Sequence, residues 1–79
     1  MPIFALRTTS NREDQVVDFV SSNAQKKVLP VYSIIRPHGL RAYIFLEAET
    51  REAAEEAYHK VPYARGLLPN LVEYEEIEH

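Results

Sequence analysis

Arg41-Ala42-Tyr43-Ile44-Phe45-Leu46-Glu47-Ala48 is the stretch whose reading decides the fold. Four large apolar residues in a row, Tyr43 to Leu46, read as a strand. Strand side chains alternate between faces, so Tyr43 and Phe45 point one way and Ile44 and Leu46 the other. Both faces are then apolar. A chain of 79 residues has room for two helices at most, enough to cover one face of a small sheet. The other face is expected to present aromatic surface to water, and such a patch marks a binding site.

Working outward, the first segment, Ile3 to Thr8, also reads as a strand. Ser10 and Glu13 then match the Ser-x-x-Glu capping box, and Val16, Phe19, Val20 and Ala24 recur at helical spacing, which predicts a helix over residues 11–27. Val31 to Arg36 is a second strand, Pro37-His38-Gly39 a turn, and Arg41 to Ala48 the third strand, so the second and third strands form a hairpin. Thr50 can cap a second helix whose buried stripe is Ala54, Ala57, Tyr58 and Val61. Glu55–His59 and Glu56–Lys60 are its surface pairs, and Pro62 ends it. Gly66 and Pro69 are read as loop breakers, and Leu71 to Ile77 as a fourth, acidic strand.

The order β-α-β-β-α-β predicts an α+β, ferredoxin-like domain: a four-stranded antiparallel sheet with two helices on one face. Strands one and three are central. Phe4, Leu6, Ile44 and Leu46 are assigned to the helix side, and Ile3, Ala5, Tyr43 and Phe45 to the open face. Ala5, small between larger neighbours, makes that patch a depression.

Composition narrows the function. There is no cysteine, which removes disulfides and thiolate metal sites and fits a reducing compartment. No apolar run approaches the roughly 20 residues of a membrane span, and no signal peptide is visible. A hydrophobic fraction of 46% with only two glycines argues for a packed fold over disorder. The formal net charge of −3 counts against nucleic acid as the main ligand, though not against a local basic patch.

Nothing in the residues points to catalysis. His38 falls in a turn, His59 on a helix and His79 at the terminus, with no close ligand spacing; each reads as a solvated imidazole. Ser10, Ser21, Ser22 and Ser33 lie in no nucleophile motif, and no glycine-rich phosphate loop exists. The glutamates between 73 and 78 read either as a partner or metal site or as a charged strand edge that discourages aggregation. An edge of that kind can also accept another protein's strand. Glu47 faces the same way as Tyr43 and Phe45. It reads either as a surface carboxylate or as an anion aimed at a partner's helix N-terminus. One alternative is a single-stranded RNA-binding module of the RNA-recognition type, which shares this element order and stacks bases on third-strand aromatics. Arg41-Ala42-Tyr43 and Phe45-Leu46 echo its octapeptide, but Ile44 and Ala48 depart from it.

A resemblance covers nearly the whole chain. Ile3-Phe4-Ala5-Leu6-Arg7-Thr8, Val31-Tyr32-Ser33-Ile34, Tyr43-Ile44-Phe45-Leu46-Glu47-Ala48-Glu49-Thr50 and Val61-Pro62 with Arg65-Gly66-Leu67-Leu68-Pro69 occur in order. Together they resemble the NusG N-terminal (NGN) domain in its archaeal form, related to the larger subunit of the eukaryotic two-subunit elongation factor. The resemblance implies a non-enzymatic transcription elongation factor, cytoplasmic and bound to transcribing RNA polymerase. An apolar depression on the sheet grips the tip of the polymerase clamp's coiled coil, closing the clamp and raising processivity. Carried over, the depression falls on Ala5, Tyr43 and Phe45, with Ile3, Arg7 and Ile35 at its rim.

The resemblance also implies a heterodimer. A small zinc-binding subunit extends the sheet, its helix N-terminus meets Glu47, and the acidic fourth strand with Tyr74 and Glu76 is taken as its edge. The zinc belongs to that partner, and no cofactor is assigned to this chain. Contact with nucleic acid is expected to be indirect, within the elongation complex. Ala42 stands where the family often has glycine. Full-length members continue into a KOW domain. Residues 1–79 are read as one NGN-like domain that stops before a KOW domain could begin, so KOW contacts are not assigned to it.

Overall fold

The computed structural model describes residues 2–71. The elements are β1 (Ile3–Thr8), α1 (Glu13–Lys26), β2 (Val31–Ile35), β3 (Tyr43–Ala48), α2 (Arg51–Tyr58) and β4 (Ala64–Leu71). They form one antiparallel four-stranded sheet in the order β2-β3-β1-β4, with the two most apolar strands in the middle. This is the α+β arrangement expected from the pattern.

Alternation along β1 and β3 sorts the core into two parts. Phe4, Leu6, Ile44, Leu46 and Ala48 pack with Val16 and Val20 of α1 and Ala54 and Ala57 of α2. Leu6, Ile44 and Leu46 have no exposed surface, so each contributes about 2 kcal/mol of burial. On the other face Ile3, Ala5 and Phe45 form a separate cluster that contains no helix residue.

Two helix starts follow different rules. Thr50 caps α2, its hydroxyl accepting from the Ala53 N–H at 3.1 Å. The capping box expected at Ser10 does not form: α1 starts after Arg12 with no side-chain cap. Asn11 takes a positive φ of 68°, which turns the chain before the helix can begin. The Glu13 carboxylate is engaged elsewhere, accepting from the Ala42 N–H at 2.6 Å.

Three further boundaries differ from expectation. β3 begins at Tyr43, not Arg41, because Ala42 is left-handed at φ 67° and cannot continue a strand. α2 ends at Tyr58, so His59 and Lys60 fall outside it and the Glu55–His59 and Glu56–Lys60 pairs do not form along it. Glu55 instead faces Arg51 at 3.7 Å, and Glu56 faces Lys27 at 3.8 Å. The fourth strand is Ala64–Leu71, earlier than the acidic segment proposed for it. Pro69 and Gly66 are tolerated because β4 is an edge strand. Its pairing jumps from Phe4↔Leu71 to Leu6↔Leu67, so residues 68–70 bulge opposite Ala5. Arg51 of α2 steadies the bulge by donating to the Leu68 carbonyl at 3.1 Å. Residues 72–79, including Tyr74, Glu76 and His79, lie outside the described residues.

Candidate functional site: an apolar hollow on the open face

Sheet register assembles the site. Phe45 pairs with Ile35 of β2 on one side and with Ala5 of β1 on the other. The β4 bulge carrying Leu68 lies next beyond Ala5. A transverse row Ile35–Phe45–Ala5–Leu68 therefore crosses all four strands on the helix-free face. Ile3 and Tyr43 flank it along the strands, and these six residues form one cluster. The smallest member, Ala5, lies between Phe45 and Leu68.

The exposures refine the sequence reading. Phe45 is only 7% exposed and Ala5 only 2%. The expectation that both aromatic rings meet water is corrected: Phe45 is a wall packed by its neighbours, and Tyr43, half-buried, is the ring that reaches solvent. Ile3 is buried, a floor residue more than a rim residue, and Ile35 is half-buried at the β2 side. Arg7, exposed, pairs with Tyr43 and puts a cation beside it. Leu68 was missed by sequence reasoning. Gly66 and Pro69 bracket it and read as loop breakers; the Leu67-Leu68 pair is the available signal, one side chain for each face.

At the other end of β3, Glu47 shares the open face with Phe45 and pairs with Ile3. Its carboxylate accepts from the Ser33 hydroxyl at 3.1 Å. One residue along, Tyr32 donates to Glu49 at 3.2 Å. Partial desolvation, then the Glu49 carboxylate, raise the Tyr32 pKa above its ordinary value. The register slips between Val31 and Ser33, so Tyr32 occupies a bulge in the outer strand. Hydroxyls of β2 thus hold two carboxylates near that edge of the sheet. Glu47 is one strand from edge β2 and two from edge β4.

Among the described residues no three His, Cys, Asp or Glu side chains are grouped as metal ligands, and no described helix is long and apolar enough to cross a membrane.

The profile of the family described as "Early transcription elongation factor of RNA pol II, NGN section" matches residues 2–79. The chain is 38% identical over 77 residues to transcription elongation factor Spt5 of Pyrococcus furiosus, covering 98% of this chain and 51% of that protein. It is 40% identical over 76 residues to Spt5 of Methanocaldococcus jannaschii, covering 96% and 52%. The chain spans about half the length of these curated relatives. Among solved structures, a heterodimer complex containing Spt4 from Methanococcus jannaschii superposes with a TM-score of 0.95 at 38% identity, covering 99% of this chain and 93% of that one. The N-terminal domain of NusG (NGN) from Methanocaldococcus jannaschii superposes at 0.91 with 39% identity, covering 96% and 95%. The family profile over residues 2–79 and the identity to both relatives over nearly the full chain place it in the NGN family of Spt5 transcription elongation factors.

Proposed function

We propose that this domain tethers an elongation factor to RNA polymerase, the hollow around Ala5 receiving the apolar tip of the clamp coiled coil. Tyr43 is the anchor, and Phe45, Ile3, Ile35 and Leu68 shape its seat. Arg7 orients an acidic neighbour at the rim. The mechanism is mechanical, without covalent chemistry or a cofactor in this chain: a ligand that binds the closed clamp better than the open one shifts that equilibrium and raises processivity. The observation that carries this reading is the buried-floored apolar row Ile35–Phe45–Ala5–Leu68 on a face free of helices. A polymerase pull-down beside circular dichroism tests it; Tyr43→Ala should stay folded and fail to retain polymerase.

The small zinc-binding subunit is the second partner in this reading, supported by the likeness to solved Spt4:Spt5 complexes. Glu47, held by Ser33, is its anionic contact for a helix N-terminus, and edge β2 is the edge nearer to Glu47. The contribution of Tyr74 and Glu76 is an expectation that falls outside the described residues. Arg7, paired with Tyr43, and the neighbouring Arg65 on β4 are the exposed cations that support an indirect contact with nucleic acid in this reading. Cytoplasmic work on transcribing polymerase follows from the same reading. The RNA-recognition alternative is disfavoured because a base cannot stack on Phe45 when that ring is 7% exposed.

A further inference from the structure

Glu13 is a buried carboxylate, 3% exposed, at the first residue of α1. Acids there ordinarily serve their own helix. This one is bonded by backbone at its own helix start, Glu13 and Asn11, and also reaches to a residue 29 positions along the chain, accepting from the Ala42 N–H at 2.6 Å. Burial of a carboxylate is retained where such a bond compensates it. Ala42 is left-handed, φ 67°, a region that disfavours any residue with a Cβ. Both of its backbone polar groups are held: the N–H by Glu13, and the carbonyl by the Thr8 N–H at 2.8 Å. The next residue is Tyr43, the first of β3 and the half-buried ring of the hollow.

Resting on the polymerase-binding reading above, we propose that Glu13 is the positioning residue of the hollow: from the helix side of the sheet it fixes the Ala42 turn and so aims Tyr43 onto the opposite face. The physical reason is register. A strand has a side-chain period of two, so the conformation of the residue that enters it decides which face its first side chain takes. Ala42 would relax out of the left-handed region if released, and Tyr43 would lose its place opposite Arg7. Glu47 lies at the far end of β3 and is held independently by Ser33. Small-subunit binding is therefore insulated from Glu13.

The test uses Glu13→Ala, Glu13→Gln, Ala42→Gly and the Glu13→Ala/Ala42→Gly double variant. Three quantities are read: NMR resonances of the Tyr43 ring and amide, affinity for the isolated polymerase clamp coiled coil, and affinity for the small subunit. Glu13→Ala should move the Tyr43 resonances and weaken clamp binding about tenfold, leaving small-subunit affinity unchanged. Glu13→Gln, whose side-chain oxygen can still accept from Ala42, should retain most of the affinity. In the Ala42→Gly background, where the left-handed turn carries no Cβ penalty, loss of Glu13 should cost less. Unmoved Tyr43 resonances in Glu13→Ala would overturn the proposal, as would parallel losses for both partners. If the parent chain does not bind the coiled coil at all, the polymerase reading fails, and the Tyr43 resonances alone decide the role of Glu13.

Discussion

Ala5 and Phe45 face each other across the central strand pair, a methyl group against a phenyl ring, and this mismatch in size is what the proposed hollow rests on. A larger residue in place of Ala5 would fill it. A smaller one in place of Phe45 would remove its wall. The site is thus a property of paired positions on β1 and β3, and the two rings of β3 have different duties.

Tyr43 and Phe45 should separate in experiment. Tyr43→Ala should cost about 2 kcal/mol of polymerase affinity, roughly thirtyfold, with little effect on folding. Phe45→Ala removes a buried ring and should cost about 3 kcal/mol of stability. Urea denaturation beside a binding titration checks both. Equal stability losses would contradict the division of roles.

Val28→Gly should stabilise the domain. Leu29 N–H bonds to the Ala24 carbonyl and Val28 N–H to that of Gln25, so α1 closes in a Schellman motif. Val28 occupies its left-handed position at φ 51°, where glycine is favoured, and its side chain is 86% exposed, so little burial is lost. The expected gain is about 1 kcal/mol, or roughly 4–8 °C in Tm for a domain of this size. An unchanged or lower Tm in calorimetry would contradict it.

Acid should weaken the fold through Glu13. Hydrogen bonds, the one from Ala42 first, hold its pKa below the ordinary 4.5. A carboxyl depressed in the folded state contributes stability that is present above its unfolded pKa and is lost as pH falls through the folded value. Urea midpoints should therefore drop below about pH 4.5 in the parent chain, and drop less in Glu13→Gln. Parallel pH profiles would argue against this.

Glu47→Gln should weaken the heterodimer, because it removes the anion offered to the partner's helix N-terminus. The loss should be about 1 kcal/mol, roughly fivefold, and smaller in high salt. Ser33→Ala, which frees the carboxylate, should lose less. Calorimetric titration of the small subunit measures it, and an unchanged affinity would leave Glu47 an ordinary surface acid.

The alternation Phe4/Leu6 and Ile44/Leu46 against Ile3/Ala5 and Tyr43/Phe45 made the two faces legible, because period-two patterns survive wherever the pairing is regular. β4 was not legible. Gly66 and Pro69 are the residues that punctuate loops, and only pairing to β1 shows that a bulge absorbs them. Missing β4 hid Leu68. The role of Glu13 was misread because Ser10-x-x-Glu13 is a sound local signal overridden by a contact to the β2–β3 connection. The burial of Phe45 depends on side chains from neighbouring strands, Ile35 and Leu68 among them, which no single segment reveals.

The central claim is that the hollow around Ala5 is where polymerase holds this domain. The most direct measurement is an NMR titration of the labelled chain with the isolated clamp coiled coil. The largest shifts should fall on Ala5, Tyr43, Phe45 and Leu68, with the helix-side residues Val16, Val20 and Ala57 unmoved. Shifts centred on α1 and α2, with those four residues silent, would contradict the account.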